Sequence, residues 1–375
     1  MELNVSAAIF SRELGLLQGV VERRTTHQIL GNVLLDARDS RLTLTATDLD
    51  TTFVSEIQPV TVKTGGAVTV PARRLYDVVR DLPASAEIGI KVLENHHVTL
   101  SCKEPKLRIR LNGLAASDYP TRPEAGGGPT LTLTFGALRR MVEKVRFAVS
   151  TEEMRLQLQG ALLKAKTTGT AEMVATDGHR LALVEIDGVK TEAGFEPVLV
   201  SKKILDELGK LDAADDTPVS LVRGTNHLGF SIGARRLYSK LDERRFPDYE
   251  KVISKENDKK AVVGREDLLG AVRRIALLSG ERTKAVSLAF APGQLVVSSE
   301  SQDVGDGSQE LPIGFEHEAL SLRLNARYLE QFLEVAETKD VHLYVKDEQA
   351  QCQGRPGEPL AGIRNYLYVV MPMRM

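Results

Sequence analysis

The chain has 375 residues, 42% hydrophobic and 27% charged, with 49 Lys and Arg against 51 Asp and Glu for a formal net charge of -2. That length exceeds one ordinary core and predicts two or three domains, while no apolar run is long enough to span a bilayer. Cys102 and Cys352, far apart in sequence, exclude a disulfide scaffold or a zinc site and suit a reducing compartment.

From the N-terminus, Met1-Glu2-Leu3-Asn4-Val5 has neither the basic nor the apolar part of a secretory leader, so a cytoplasmic location is expected. An amphipathic helix follows, with Phe10, Leu14, Leu17 and Val21 at helical spacing, then an alternating strand at Arg41-Leu42-Thr43-Leu44-Thr45. The short strand Val68-Thr69-Val70-Pro71 runs into a second helix carrying Leu75, Val78, Val79 and Leu82. Val98-Thr99-Leu100 alternates again, and so does Leu107-Arg108-Ile109-Arg110-Leu111. After the loop Gly126-Gly127-Gly128-Pro129 the pattern restarts with Leu138, Met141, Val142, Val145 and Val149. Val198-Leu199-Val200-Ser201 then leads into a helix with Ile204, Leu205, Leu208 and Leu211. Past a polar joint at 254–260 it restarts with Leu268, Leu269, Val272, Ile275 and Ala276. Leu322-Arg323-Leu324-Asn325 opens the last helix, with Leu329, Phe332 and Leu333, and Val341-His342-Leu343-Tyr344-Val345 alternates after it.

One module of roughly 125 residues therefore occurs three times, with Pro71, Ser201 and Asn325 as helix-entry residues in matching phase. Ala46-Thr47-Asp48 recurs as Ala175-Thr176-Asp177, 129 positions on; Ser117-Asp118-Tyr119-Pro120 and Phe246-Pro247-Asp248-Tyr249 close the first two copies. The expected domains are 1–125, 129–253 and 259–375, α+β throughout, each with two helices packed on antiparallel sheets. The alternative is three unrelated α+β domains. An arc of such modules, with free sheet edges at its ends, can close by pairing with a second copy.

Charge is unevenly distributed. The expected helices at 10–24, 72–82, 135–149, 202–210, 265–279 and 326–336 hold 17 Lys and Arg against 11 Asp and Glu, a net +6, leaving -8 on the rest. Basic helices on an acidic body suit nonspecific contact with a phosphate backbone, although helix surfaces are often Lys/Arg-rich without function. With no Trp and no basic-aromatic alternation, base stacking is not indicated.

Motifs for chemistry are absent. His96 and His97, read as strand neighbours, point to opposite faces and cannot share a metal. There is no HExxH, CxxC, EF-hand, phosphate-loop or GxSxG pattern, and Thr168-Gly169-Thr170 reads as a turn. Asp177 and His179 would be the acid and base of a hydrolase, but no nucleophile lies nearby, and the cousin Ala46-Thr47-Asp48 lacks the histidine. Neither a metal nor a cofactor is expected. A sequence-specific DNA-binding regulator is the other competing class.

The whole chain resembles the bacterial DNA polymerase III beta subunit, the sliding-clamp family. The carrying motifs are Ile29-Leu30-Gly31-Asn32, Val174-Ala175-Thr176-Asp177-Gly178-His179-Arg180-Leu181-Ala182, Arg245-Phe246-Pro247-Asp248-Tyr249 and Tyr368-Val369-Val370-Met371-Pro372-Met373-Arg374-Met375. The resemblance implies a non-catalytic, head-to-tail homodimeric ring of pseudo-sixfold symmetry. It would encircle double-stranded DNA without regard to sequence and tether the replicative polymerase. It implies DNA contacts at Arg24, Arg73, Arg80, Lys202, Lys203 and Lys210, while Glu152 departs from a related clamp's DNA-contacting amide. It implies a partner-peptide cleft at Leu158, Thr176, Gly178, His179, Arg180, Leu181, Pro247, Val252, Val369, Met371, Pro372, Met373 and Arg374. The polymerase alpha subunit, the clamp-loader delta subunit and other proteins with a clamp-binding motif would insert short apolar peptides there. Subunits would meet through Arg74, Leu107 and Ile109 of one copy and Leu277 and Leu278 of the other. Met375 replaces a leucine common in the family.

Overall fold

The computed structural model describes residues 1–22, 27–124, 126–280 and 284–373, and every structural statement below concerns those residues. A single motif, strand–helix–three strands, occurs six times. The first is β1 (Glu2–Ser6), α1 (Ala7–Leu17), β2 (Asn32–Arg38), β3 (Arg41–Thr47) and β4 (Thr51–Ile57), trailed by the short β5 (Thr61–Thr64). The second is β6 (Gly66–Pro71), α2 (Ala72–Arg80), β7 (Glu87–Val92), β8 (His97–Cys102) and β9 (Leu107–Asn112). The third is β10 (Thr130–Thr134), α3 (Phe135–Val145), β11 (Gly160–Lys166), β12 (Thr170–Thr176) and β13 (Arg180–Asp187), trailed by β14 (Lys190–Thr191). The fourth is β15 (Val198–Ser201), α4 (Lys202–Leu208), β16 (Pro218–Arg223), β17 (His227–Ile232) and β18 (Arg235–Lys240). The fifth is β19 (Lys259–Gly264), α5 (Arg265–Ala276), β20 (Ala285–Ala291), β21 (Gln294–Ser301) and β22 (Gly305–Pro312). The sixth is β23 (Leu320–Asn325), α6 (Ala326–Val335), β24 (Asp340–Val345), β25 (Cys352–Pro356) and β26 (Asn365–Val370).

Local chemistry explains these elements. In β24 the alternation buries Val341, Leu343 and Val345 on one face. In α6 the buried Leu329, Phe332 and Leu333 form one stripe, and the Asn325 side chain accepts from the amides of Arg327 (3.0 Å) and Tyr328 (3.4 Å). Ser201 Oγ accepts from the Ile204 amide at 3.4 Å in the equivalent place, whereas Pro71 has no such acceptor. Every helix ends before its expected window does, and the first also starts earlier, at Ala7. Val20 and Val21 donate back to the Leu17 carbonyl at 3.0 and 3.2 Å, closing a turn at a point that holds Gly19, a poor helix former. His96 is not on the strand that was expected to carry it. It lies in the turn before β8, with φ of 62°.

Pairing follows one rule: the first strand of each motif joins the sheet of its neighbour in the same module. Thus β1 pairs with β7 while β6 pairs with β2, and β19 pairs with β24 while β23 pairs with β20. The chain forms two compact units, residues 1–136, 191–195 and 206–241 in one, 137–190, 196–205 and 242–375 in the other. Each contains a sheet that runs across a boundary between sequence repeats. In the first unit β18 pairs antiparallel with β4, from Arg235 opposite Ser55 to Ser239 opposite Thr51. In the second β13 pairs antiparallel with β26, from Arg180 opposite Val370 to Glu185 opposite Asn365. The compact units therefore do not coincide with the repeats.

A buried ion pair secures the first of these joints. Glu13 of α1 accepts from Arg235 Nη2 at 2.7 Å and Nε at 2.9 Å, and from Ser55 Oγ at 2.7 Å. Burial pushes the Glu13 carboxyl up, but the hydrogen bonds from Arg235 and Ser55 outweigh it and hold it below the usual carboxylate range. Its stabilising contribution is therefore complete above the unfolded value near 4.5 and is lost as pH falls through the depressed folded one. Arg235→Ala leaves this buried carboxylate to Ser55 and the exposed Arg12, 3.0 Å away, and should cost about 3 kcal/mol. A lowered urea midpoint at pH 7 would register the loss; an unchanged midpoint would show that the pair contributes nothing net.

Candidate functional site

The sheet joint in the second unit carries a tight turn between β12 and β13. Thr176 Oγ1 donates to the Arg180 carbonyl at 2.6 Å and accepts from the Gly178 amide at 3.1 Å. The Asp177 carboxylate accepts from the amides of His179 (2.9 Å) and Arg180 (3.0 Å) and from Arg180 Nε (3.0 Å). These bonds fix the backbone, and Gly178 at φ of 89° occupies the left-handed region that glycine adopts without strain. They also dispose of the hydrolase reading: the Asp177 carboxylate is engaged by backbone amides and Arg180 rather than by an imidazole.

Arg180 is buried and anchors the turn. Its guanidinium reaches Gln331 and the Phe147 carbonyl, and lies 4.2 Å from the Tyr328 ring centroid. Burial, with Asp177 nearby, pushes the Tyr328 phenol up. The C-terminal strand ends alongside: the Met371 amide donates to the His179 carbonyl at 2.9 Å and the Met373 amide to the Arg323 carbonyl at 2.7 Å. Facing this is the segment 246–253, where Tyr249 packs edge-on against Phe246 with centroids 6.2 Å apart.

Between these parts lies a cavity of about 120 Å³ lined by Leu158, Thr176, Gly178, Arg180, Leu181, Pro247, Tyr249, Val252, Val369 and Met371. The sequence reading placed all of these in a cleft except Tyr249. His179 is exposed, and Pro372 and Met373 are half-buried beside the strand end; none of the three lines the cavity. Arg374 lies outside the described residues. Two contributors escaped the sequence reading. Tyr249 did so although it sits inside a quoted motif, because a tyrosine in a turn reads as core. Arg155 donates to the Asp177 carbonyl at 2.9 Å, and its guanidinium lies 2.6 Å from where a Gly178 Cβ would stand. The cavity can take apolar side chains; its Thr176 and Tyr249 hydroxyls are already bonded.

The first unit repeats the turn. Thr47 Oγ1 donates to the Thr51 carbonyl at 3.1 Å and accepts from the Leu49 amide, while Asp48 accepts from the amides of Asp50 and Thr51. The Lys240 amide donates to the Asp50 carbonyl at 2.9 Å, as Met371 does to His179. Leu49, at φ of 78° and exposed, occupies the place of Gly178. Thr52, Tyr238 and Lys240 match Leu181, Val369 and Met371, so the repeat copy lacks the apolar lining.

Of the last strands of the six motifs, two lie at the edge of a sheet with one side free. β9 closes one edge of the sheet ordered β5-β1-β7-β8-β9, and β22 closes one edge of β22-β21-β20-β23. On β9 Arg108 and Arg110 are exposed while Leu107 and Ile109 are half-buried; on β22 Asp306, Ser308 and Glu310 are exposed. Arg74 is exposed on α2. Leu277 is 79% exposed, and Leu278 packs over Gly307 of β22, where a Cβ would come within 2.4 Å of it.

The helices are less basic than their sequence windows. As formed, they hold 13 Lys and Arg against 9 Asp and Glu. Several of those cations have internal partners: Lys144 is fully buried with Glu337 at 2.9 Å, and Arg140 donates to the Ala361 carbonyl. Of the expected phosphate-contacting residues, Arg73 is exposed, and Arg80 is exposed with Asp77 at 3.4 Å. Lys210 is exposed with Glu207 at 2.7 Å, and Lys202 and Lys203 are half-buried at the start of α4. Arg24 lies outside the described residues. No group of three His, Cys, Asp or Glu able to hold a metal occurs, and no helix is long and apolar enough to cross a membrane, among the described residues.

Comparison with known proteins covers the full length. Residues 1–123, 132–248 and 250–374 match the N-terminal, central and C-terminal domains of the DNA polymerase III beta subunit. The beta sliding clamp of Pseudomonas putida is 35% identical over 375 residues, all of both chains. The solved sliding clamp of Bartonella birtlesii, in complex with griselimycin, superposes with a TM-score of 0.93 at 32% identity over all of both chains. The DNA polymerase III subunit beta of Pseudomonas aeruginosa does so at 0.91 and 32%, again over all of both chains.

Proposed function

This chain belongs to the DNA polymerase III beta subunit family, and from that membership we infer how its parts work. It is a DNA sliding clamp of replication, a dimer that partners DNA and polymerase, and a processivity factor rather than an enzyme. One observation carries the assembly: the pairing rule leaves two strands over. The last strand of the fourth motif pairs with that of the first, and the last strand of the sixth with that of the third. By the same rule β9, last of the second motif, seeks β22, last of the fifth. A second copy satisfies both edges, β9 with the partner's β22 and the reverse, which is head-to-tail and closes. Arg108 and Arg110 would face Asp306 and Glu310, with Leu107, Ile109, Arg74, Leu277 and Leu278 flanking them.

Domains 1–125, 129–253 and 259–375 would then supply six repeats around one hole. Arg24, Arg73, Arg80, Lys202, Lys203 and Lys210 would make weak contacts to phosphates, enough to centre a duplex and too loose to stop sliding. Pairing of Arg80 with Asp77 and of Lys210 with Glu207 supports a modest field. The cavity beside Gly178 would receive apolar peptide anchors from the polymerase alpha subunit, the clamp-loader delta subunit and other proteins with a clamp-binding motif. We place the protein in the cytoplasm with the DNA it encloses.

Enclosure predicts a result that affinity does not. Loaded by a clamp loader onto nicked circular DNA, the protein should co-elute with the circle through gel filtration, and cutting the circle once should release it. Raising salt should change retention on the circle little, because no phosphate contact holds it there. Equal retention on circular and linear DNA would reject the ring.

A further inference from the structure

We propose that Tyr249, clamped between Lys164 and Glu172, is a positioning residue that sets the width of the peptide cleft and so determines which apolar anchor it accepts. The inference rests on the reading of that cavity as a peptide site.

The two sides of the cavity are held very differently. Thr176, Leu181 and Val369 belong to β12, β13 and β26, whose ladder bonds fix them. Pro247 and Val252 belong to the segment 246–253, which joins no sheet. Its backbone bonds are local, from the Tyr249 amide to the Pro247 carbonyl (2.8 Å) and from Ile253 to Glu250 (3.3 Å). Side chains must therefore place this wall. Gln351, just ahead of β25, donates through Nε2 to the Val252 carbonyl. Glu250, exposed, lies 3.5 Å from Lys164 Nζ, and the buried tie is Tyr249.

Lys164 on β11 and Glu172 on β12 stand directly opposite one another, the spacing of a cross-strand ion pair. No bond joins them directly. The Tyr249 phenol is inserted between them: it donates to Glu172 and accepts from Lys164 Nζ at 2.7 Å, and the same ammonium lies 4.4 Å from the ring centroid. Burial, followed by the Glu172 hydrogen bond, pushes the phenol well above its usual range, so it remains a donor at all ordinary pH. The ring itself is buried in the cluster with Leu158, Val174, Leu181 and Val369 and lines the cavity. The polar clamp holds the tip of a side chain whose body is the cleft wall. Losing the hydroxyl keeps the ring and releases the wall.

The test uses two fluorescent peptides that differ only in a C-terminal phenylalanine or leucine anchor, titrated by anisotropy against the full-length protein. Tyr249→Phe and Glu172→Ala should each weaken the tighter peptide about tenfold and bring the two affinities together. Glu172→Gln, whose amide oxygen still accepts from the phenol, should stay within about threefold of the parent. Sedimentation and retention on circular DNA should not change in any variant. Parental affinities and selectivity in Tyr249→Phe would overturn the proposal, as would equal losses in Glu172→Gln and Glu172→Ala, which would assign the effect to packing. Failure of the unsubstituted protein to bind either peptide would instead remove the cleft reading beneath it.

Discussion

The doubly substituted protein Leu277→Ala/Leu278→Ala should sediment as a monomer at concentrations where the parent is a dimer, and should leave circular DNA as readily as linear DNA. Leu277 is the second most exposed large apolar residue of the described chain, and it adjoins the unpaired strand β22. Truncating a leucine buried at an interface costs about 2 kcal/mol. Two leucines at each of two identical interfaces sum to about 8 kcal/mol, several decades in dissociation constant. Leu278 also covers Gly307 within its own subunit, so Leu277→Ala alone separates the interface from local packing: it should weaken the dimer without altering the melting midpoint. Arg108→Glu with Arg110→Glu should weaken the dimer in the same direction if these side chains meet Asp306 and Glu310. Sedimentation of an unchanged dimer would place the interface elsewhere.

Gly178→Leu should abolish peptide binding, by at least about 100-fold, and leave ring closure and DNA retention intact. A side chain at this position, on the wall of the cavity, would displace the Arg155 guanidinium from the Asp177 carbonyl. A leucine at positive φ costs on the order of 1–2 kcal/mol in backbone strain. The molecule already tolerates that cost at Leu49, in a turn with the same hydrogen bonds, so the variant is expected to fold. Gly178→Ala should fall between the two. Full peptide affinity in Gly178→Leu would mean that the cavity is not where the anchors go.

The six helices and seven of the 26 strands were legible because each presents a regular apolar period, and that period is a local property. Phe10, Leu14 and Leu17 mark the buried face of α1 whatever packs against it. Helix ends were not legible. At Gly19 the apolar pattern continues to Val21 while the backbone has already turned, since a pattern records which face is buried and not where the hydrogen bonds stop. β22 was missed for the opposite reason: Gly305, Asp306, Gly307, Ser308, Gln309 and Glu310 carry no apolar alternation, because an edge strand awaiting a partner has little to bury within its own chain.

The repeat of Ala46-Thr47-Asp48 as Ala175-Thr176-Asp177 was read from the letters, and so was the resemblance that pointed to most of the cleft. Which copy forms a cavity was a tertiary decision. It depends on Leu181, Val369 and Met371 meeting across a sheet joint where Thr52, Tyr238 and Lys240 meet in the other. Charge behaved the same way. The windows predicted basic helices, but Lys144 is buried against Glu337 and Arg80 is paired with Asp77. By itself the sequence determined three repeated modules, their helices, the most regular of their strands and the family they resemble, all consequences of periodicity and of order along the chain. Only the tertiary structure decided that β18 pairs with β4 and β13 with β26, that β9 and β22 each keep one free edge, and that Tyr249 stands between Lys164 and Glu172. Those outcomes depend on distance between residues remote in sequence, and a pattern of buried faces does not specify the partner each face will meet.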